Sequence, residues 1–240
     1  RTLFPYTTLF RSINAAEGGC AFALAGARLV ARPSGALWAP DLGVLAVADL
    51  HLGKAERMAR RGGALLPPYA DADTLARLSA EIAALDPGTV VSLGDGFDDG
   101  RAAGALAPEA AERLAALAEG RRWVWIAGNH DPAPHGHPGR CAPEWAAGPL
   151  LFRHVAEAGA PPGEVSGHFH PKATLALRGR RVRRRCFLAD ARRAILPAFG
   201  AYTGGLDALS AAFDALLGPE ARALLLGRRV IAAPRCALSA

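Results

Sequence analysis

The sequence predicts a single α/β domain, alternating helices with strands in its first half and rich in hairpins in its second. Three observations carry this. Over residues 20–50 short apolar stretches alternate with Gly and Pro; two stripes at helical spacing separate short strands before Ile126; and no composition break or long polar linker divides the halves. A length of 240 residues fits one large domain or two small ones, enough to bury a core. Hydrophobic residues at 51% and charged residues at 21% exclude a disordered or fibrous chain. No apolar run approaches the ~18 residues that a membrane span requires.

The elements follow in order. FALAG, RLVARPSG, ALWAPDLG and VLAVADL read as hairpin strands, the last carrying Leu45 and Val47 into Ala48-Asp49-Leu50-His51. Asp71 and Asp73 offer N-cap oxygens to a helix with Leu75, Leu78, Ile82 and Leu85 on one face, stopped by Asp86-Pro87-Gly88. A strand over Thr89–Leu93 opens into GDGFDDG. Pro108 and Glu109 suit the first turn of a second helix, with Leu114 and Leu117 inward and Gly120 ending it. A strand over 123–126 runs into GNHDP, and a Pro/Gly/His loop covers 132–140. The second half offers strands at 150–154, 164–166, 174–177, 181–188 and 229–232, and a helix at 206–217.

Two biases temper the formal charge of +6. Lys54 and Lys172 are the only lysines, and arginine, alanine and glycine abound, as a GC-rich genome produces without selection for an anionic partner. Residues 2–12, TLFPYTTLFRS, read as a sequencing adapter translated in frame; the chain has no initiator Met, and Met58 is its sole methionine. The expected domain is therefore 13–240, with 1–12 set aside, which lowers the charge to +4. Cys20, Cys141, Cys186 and Cys236 lie far apart without a CxxC pair, so they read as packing thiols in a reducing cytoplasm.

Metal-capable side chains recur where predicted strands end: Asp49 and His51, Asp95, Asn129 with His130 and Asp131, His154, and His168 with His170. A rigid sheet can converge such groups from distant positions on one point. Imidazoles, carboxylates and one amide without a thiolate suit Mn²⁺, Fe or Zn²⁺ better than structural zinc or calcium. On an extended chain both side chains of a DxH or HxH point the same way, so each pair can grip one ion.

The ordered set of DxH, GDxxD with Asp98 in its last position, GNHD, a lone His and GHxH resembles the calcineurin-like metallophosphoesterase superfamily. Within it, ADLHLGK, RRGGALLPPY, GHFHPKA, RRCFLAD and LPAFGAYTGGL are similar to the bacterial ligase-associated DNA damage response endonucleases, the PdeM family, over roughly 46–206. Those relatives carry GDSFHD and DLHFEK where this chain has GDGFDD and DLHLGK; neither change removes a ligand, and both bear on how substrate is held.

The resemblance implies a four-layer α/β/β/α metallophosphoesterase sandwich binding two divalent ions, Mn²⁺ foremost, with Fe or Zn²⁺ as alternatives. Asp49, His51 and His170 would hold one ion, Asn129, His154 and His168 the other, and Asp95 would bridge them. His130 would be the acid for the leaving group, with Asp131 orienting it or supporting from behind. The expected activity is cytoplasmic hydrolysis of DNA phosphodiester bonds in ligase-associated repair, beside an ATP-dependent DNA ligase and an Lhr-type helicase. The alternatives are a phosphodiesterase or phosphatase acting on small nucleotides, or an inactive scaffold, against which all seven ligands and His130 stand in place.

Lys54, just past the DxH, is a candidate phosphate contact or a surface residue. The run 178–185 holds six arginines in eight positions. On a strand, alternation would put Arg181, Arg183 and Arg185 on one face, either gripping nucleic-acid phosphates or charging a solvated edge. His135 and His137 read as solvated loop residues, and Trp123 and Trp125 as core. No helix-turn-helix, zinc finger or RNP pattern is present, so base-specific reading is not expected.

Overall fold

Residues 10–11, 18–63, 65–67, 69–177 and 179–239 are described by a computed structural model. Eight strands make the first sheet in chain order: β1 (Phe10–Arg11), β2 (Cys20–Leu24), β3 (Ala27–Ala31), β4 (Leu37–Ala39), β5 (Val44–Val47), β6 (Thr89–Leu93), β7 (Arg122–Ile126) and β8 (Arg140–Ala142). Neighbours are antiparallel up to β5 and parallel from β5 to β8. Parallel pairing requires crossovers, and helices supply the first two, while the loop 127–139 joins β7 to β8. α1 (Lys54–Arg60) and α2 (Ala70–Leu85) join β5 to β6; α3 (Gly100–Gly104) and α4 (Pro108–Ala118) join β6 to β7.

The second sheet comprises β9 (Glu144–Ala147), β10 (Leu150–Arg153), β11 (Glu164–Ser166), β12 (Lys172–Leu177), β13 (Arg180–Ala189), β14 (Arg193–Ile195), β15 (Arg222–Leu225) and β16 (Ile231–Pro234). Its order is β16-β15-β13-β14-β11-β10-β9, with β12 hairpinned onto β13; β10, β11 and β14 are parallel.

Strand alternation explains how the layers stack. Val44 and Ala46 of β5 face a core shared with Val165, Phe187 and Leu224 of the second sheet, while Leu45 and Val47 face Leu75, Leu78 and Ile82 of α2. β5 is therefore buried on both sides, as its unbroken apolar run requires. The far face of the second sheet, with Cys186, Leu188 and Leu225, is covered by Ala208, Phe213 and Leu217. The expected two-sheet α/β fold is present as a single domain.

Three local expectations give way. The helix expected at 206–217 is an irregular segment with one 3-10 turn at Ala211–Phe213. Its backbone is already taken: the Leu206 carbonyl accepts from Lys172 N at 2.8 Å, and Ala208 N donates to Lys172 O at 2.7 Å. Tertiary pairing overrides the local pattern. Asp71 does not cap α2, which starts at Ala70; its carboxylate accepts from Gly53 N at 3.0 and 3.1 Å, joining α2 to the head of α1. Of the cysteines, Cys20 and Cys186 are buried packing residues, but Cys236 is exposed. Of the set-aside segment, 1–9 and 12 lie outside the described residues, and Phe10–Arg11 pairs with β2. Among the described residues no helix is long and apolar enough to cross a membrane.

Phe187, 0% exposed between the sheets, sets the first prediction. Phe187→Ala should cost about 3–5 kcal/mol in urea unfolding, whereas Leu209→Ala on the exposed rim should change stability by less than about 0.5 kcal/mol. Equal losses would show that the inter-sheet layer is not the core.

Candidate metal centre

The five polar motifs all leave the C-terminal ends of parallel strands: β5, β6 and β7 in one sheet, β10 and β11 in the other. The chain turns sharply there. Eight described residues other than glycine have positive φ, and five are candidate ligands: Asp49 (53°), His51 (47°), Asp95 (46°), His168 (70°) and His170 (47°). Asp and His are among the side chains that enter this left-handed region most readily. The DxH and HxH are thus not extended, as alternation on a strand would have it; the left-handed turns bring their side chains together instead. Backbone bonds between the loops lock them, with Asp49 N to Gly94 O at 3.3 Å and His51 N to Asp95 O at 2.9 Å. Two glycines make room. A Cβ at Gly94, itself at φ 76°, would sit 2.3 Å from His154 Nδ1, and one at Gly128 would sit 2.2 Å from Asp95 Oδ1.

Three groups of ligand atoms result, one of them, His51, Asp98 and His130, already neutralised by Lys54 and Arg57; the other two adjoin. Asp49, His51 and His170 form one and Asp95, His154 and His168 the other, each with its atoms within 4.8 Å of one another. Asn129 Oδ1 joins the second, 2.9 Å from His154 Nε2 and 3.0 Å from His168 Nδ1. Between the groups, His154 Nδ1 lies 3.9 Å from Asp49 Oδ1.

The residues fit a pair of divalent cations. Asp49 is 0% and Asp95 2% exposed, and their ion-pair partners among the described residues are histidines only. Buried carboxylates need a compensating charge. His51 Nε2 and His170 Nε2 are buried without a hydrogen bond. Leu93 O accepts from His154 Nδ1 at 2.8 Å, so in the neutral ring Nε2 carries the lone pair. That lone pair faces Asn129 Oδ1 at 2.9 Å, His168 Nδ1 at 3.1 Å and Asp95 Oδ2 at 3.5 Å, so ligand atoms of four side chains converge on one point. Burial, and then His154, depress the pKa of His168, which favours the neutral ring that a ligand must be.

The model of the calcineurin-like phosphoesterase family matches residues 42–184, which contain every one of these ligands. The chain belongs to that family. It is accordingly a metal-dependent phosphoesterase. Among solved structures it is similar to the nuclease MPE of Pseudomonas putida, with 29% identity and a TM-score of 0.66, covering 90% of this chain and 100% of that one. No curated protein matches it.

Behind the ligands of this phosphoesterase stands Asp98, fully buried. Burial pushes its pKa up, but His51, Lys54 and Arg57 outweigh that and bring it to about 2. His51 Nδ1 lies 2.9 Å from its Oδ1, an ion-pair contact outside hydrogen-bond angles, and Arg57 pairs with Oδ2. Lys54 Nζ lies 3.7 Å from Asp98, so the candidate phosphate contact faces an internal carboxylate. The main-chain carbonyl of Asp98 accepts from His130 Nδ1 at 2.8 Å, leaving Nε2 4.0 Å from Asp95 Oδ2. Asp98, not Asp131, therefore orients His130. Asp131 accepts from Phe97 N at 3.0 Å and Gly128 N at 3.2 Å, and burial raises its pKa. The GDxxD motif was the sequence signal for Asp98; nothing comparable marked Arg57.

Further expectations are corrected beside the centre. His135 and His137 are half-buried against the core rather than loose in solvent: His137 stacks on Phe97 at 4.8 Å and its Nε2 donates to Ala103 O at 2.8 Å, while His135 packs edge-on to Trp125 at 4.8 Å. Trp123 and Trp125 are core, as expected. The arginines of β13 alternate along the strand as expected but differ in their surroundings. Arg181 is exposed, Arg183 pairs with Asp207 at 3.5 Å, and Arg185 turns inward to donate to Ala198 O at 2.8 Å; Arg178 lies outside the described residues.

Burial, with His137 adding to it, lowers the pKa of His135 from 6.5 to about 4. A folded pKa below the unfolded one means stability is complete above pH 6.5 and falls as pH drops towards 4. In thermal melts over that window His135→Phe, which keeps the aromatic packing, should lose Tm less steeply than wild type; identical slopes would show that this ring does not titrate with unfolding.

Proposed function

We propose that this phosphoesterase is a two-metal nuclease that hydrolyses DNA phosphodiester bonds in ligase-associated repair. The observation that carries the reading is the pair of adjoining donor groups across the ends of two sheets, with the buried carboxylates Asp49 and Asp95 and His130 alongside. Asp49, His51 and His170 would hold one ion, Asn129, His154 and His168 the other, and Asp95 would touch both. The nitrogen-and-oxygen donor set with an amide favours Mn²⁺, with Fe or Zn²⁺ as alternatives. Such a pair of ions supplies acidified water and neutralises phosphoryl oxygens.

The chain's own residues supply the rest. Asp98 O holds Nδ1–H of His130, so Nε2 is the nitrogen free to pass a proton to the departing alkoxide as the P–O bond breaks. That transfer uses the protonated ring, whose Nε2 lies 4.0 Å from Asp95 Oδ2 and so beside the ligand groups. Asp131 keeps the GNHD turn closed through two main-chain bonds, which fixes the backbone beneath His130.

DNA as substrate is supported by the motifs shared with the ligase-associated endonucleases and by the similarity to a nuclease. A chain of net charge +6 is compatible with a polyanion. Partnership with an ATP-dependent ligase and an Lhr-type helicase rests on the motifs alone. The free cysteines are consistent with a reducing cytoplasm.

With Mn²⁺, the enzyme should nick supercoiled plasmid or cut single-stranded DNA, and hydrolyse bis(p-nitrophenyl) phosphate faster than p-nitrophenyl phosphate. Turnover of the small diester with both DNAs intact would favour small nucleotides instead. His130→Ala should keep its metal content yet lose ~10²–10⁴-fold in kcat on DNA, and less on p-nitrophenyl esters, whose leaving group needs no proton. Loss of metal in that variant would make His130 a ligand.

A further inference from the structure

Beside the centre, between the start of α2 and the loop after Leu196, lies an open cavity of about 460 Å³ that none of the steps above uses. Tyr69, Asp73, Arg77, Arg185, Tyr202 and Thr203 line it. Its composition is unusual for this chain. The two tyrosines among the described residues both border it, and both rings are turned to solvent, 63% and 51% exposed. Tyr202 stands at φ 53°, a left-handed backbone that a bulky aromatic rarely adopts and that structures keep mainly at functional positions.

Its charge is unbalanced. Asp73 pairs with Arg77 at 3.1 Å, but no carboxylate among the described residues lies within ion-pair distance of Arg185. Arg77 also donates to Phe199 O at 2.9 Å, and its Nη1 has no hydrogen-bond partner. Both guanidinium groups are half-buried, Arg185 held by Ala198 O at 2.8 Å, and burial, then Arg77, pull the pKa of Arg185 down although Asp73 opposes them. An anion would relieve that repulsion.

The cavity is also wired to the metal loop. Phe199 N donates to Ala48 O at 2.7 Å and Gly200 N to Asp49 O at 3.1 Å, so the segment forming its wall is bonded to the residue carrying a metal ligand. Cations beside solvent-facing aromatic rings are what an unpaired nucleotide requires: arginine for the phosphate, tyrosine for the base.

We propose that this cavity is a nucleotide subsite for a DNA strand running away from the scissile bond, with Arg77 and Arg185 facing a phosphate and Tyr69 and Tyr202 stacking on an unpaired base. The proposal rests on the nuclease reading and narrows it to single-stranded or frayed segments. Stacking of this kind tolerates any base.

The test uses a fluorescein-labelled single-stranded dT oligonucleotide and the Mn²⁺-loaded enzyme. Tyr69→Ala and Tyr202→Ala should each raise Kd and KM by about 5- to 150-fold, while Tyr69→Phe and Tyr202→Phe retain wild-type values. Arg185→Gln should flatten the slope of log Kd against log salt by ~0.7. A dAMP competitor should displace the oligonucleotide only at far higher concentration than unlabelled oligonucleotide does. Wild-type cleavage with unaltered Kd, KM and salt slope in these variants would overturn the subsite and leave the nuclease standing. An equal fall in bis(p-nitrophenyl) phosphate hydrolysis by the alanine variants would make the tyrosines structural and also overturn it, as would dAMP competing as well as the polymer. If wild type turns over the small diester but neither binds nor cuts the oligonucleotide, the nuclease reading itself has failed and the subsite with it.

Discussion

Two carboxylates, Asp49 and Asp95, sit at the seam between the sheets, buried from solvent, with no lysine or arginine within ion-pair reach among the described residues. Leaving such charges uncompensated in an interior costs several kcal/mol each. What surrounds them answers that demand. Both Asp49 oxygens accept the backbone N–H of His168, at 3.2 and 3.0 Å, so a group from the first sheet pins a loop of the second. Asp95 Oδ1 accepts from His130 N at 2.9 Å and so fixes the next loop of its own sheet. Five ligands in left-handed backbone, each at about 1–3 kcal/mol of strain, are held by these cross-bonds rather than by preference of the chain. A cation between the carboxylates would offset both the charge and the strain.

Asp98 shows how environment divides labour among carboxylates of one motif. It is as buried as Asp49, yet Lys54 and Arg57 from α1 balance it, so it is a finished ion-pair hub with no call for a metal. Its side chain meets His51 and its carbonyl meets His130. One short helix thereby supports two imidazoles with different tasks, a ligand and a proton donor. Asp131 makes a third case: bonded only to backbone N–H groups and near Asp95, it shapes a turn.

The parts legible in the sequence were those written in local periodicity and punctuation. α2 and α4 announce themselves through Leu75, Leu78 and Ile82 and through Leu114, and β5, β6 and β7 through apolar runs ending in polar motifs. The ligands were legible because each stands in a short polar motif just past a strand, although the strand before His168 and His170, Glu164–Ser166, is hardly apolar. What failed depended on partners far along the chain. Leu206, Leu209, Phe213 and Leu216 have helical spacing, but Lys172 takes the backbone groups of Leu206 and Ala208. His135 and His137 stand among Pro and Gly, and only folding brings Phe97 and Trp125 against them. The arginine run looks uniform in sequence, yet Arg185 alone turns inward, because β13 passes there from an exposed hairpin into the core. α1, at seven residues without an apolar stripe, offered no signal until Asp71 and Asp98 were found to anchor it.

Anomalous diffraction at the manganese edge from a Mn²⁺-loaded crystal tests the central claim most directly. The account predicts two peaks ~3.5–4 Å apart, one among Asp49, His51 and His170, the other among Asn129, His154 and His168, both touching Asp95. A single peak, or density held by His51, Asp98 and His130, the remaining group close enough to chelate an ion, would contradict it.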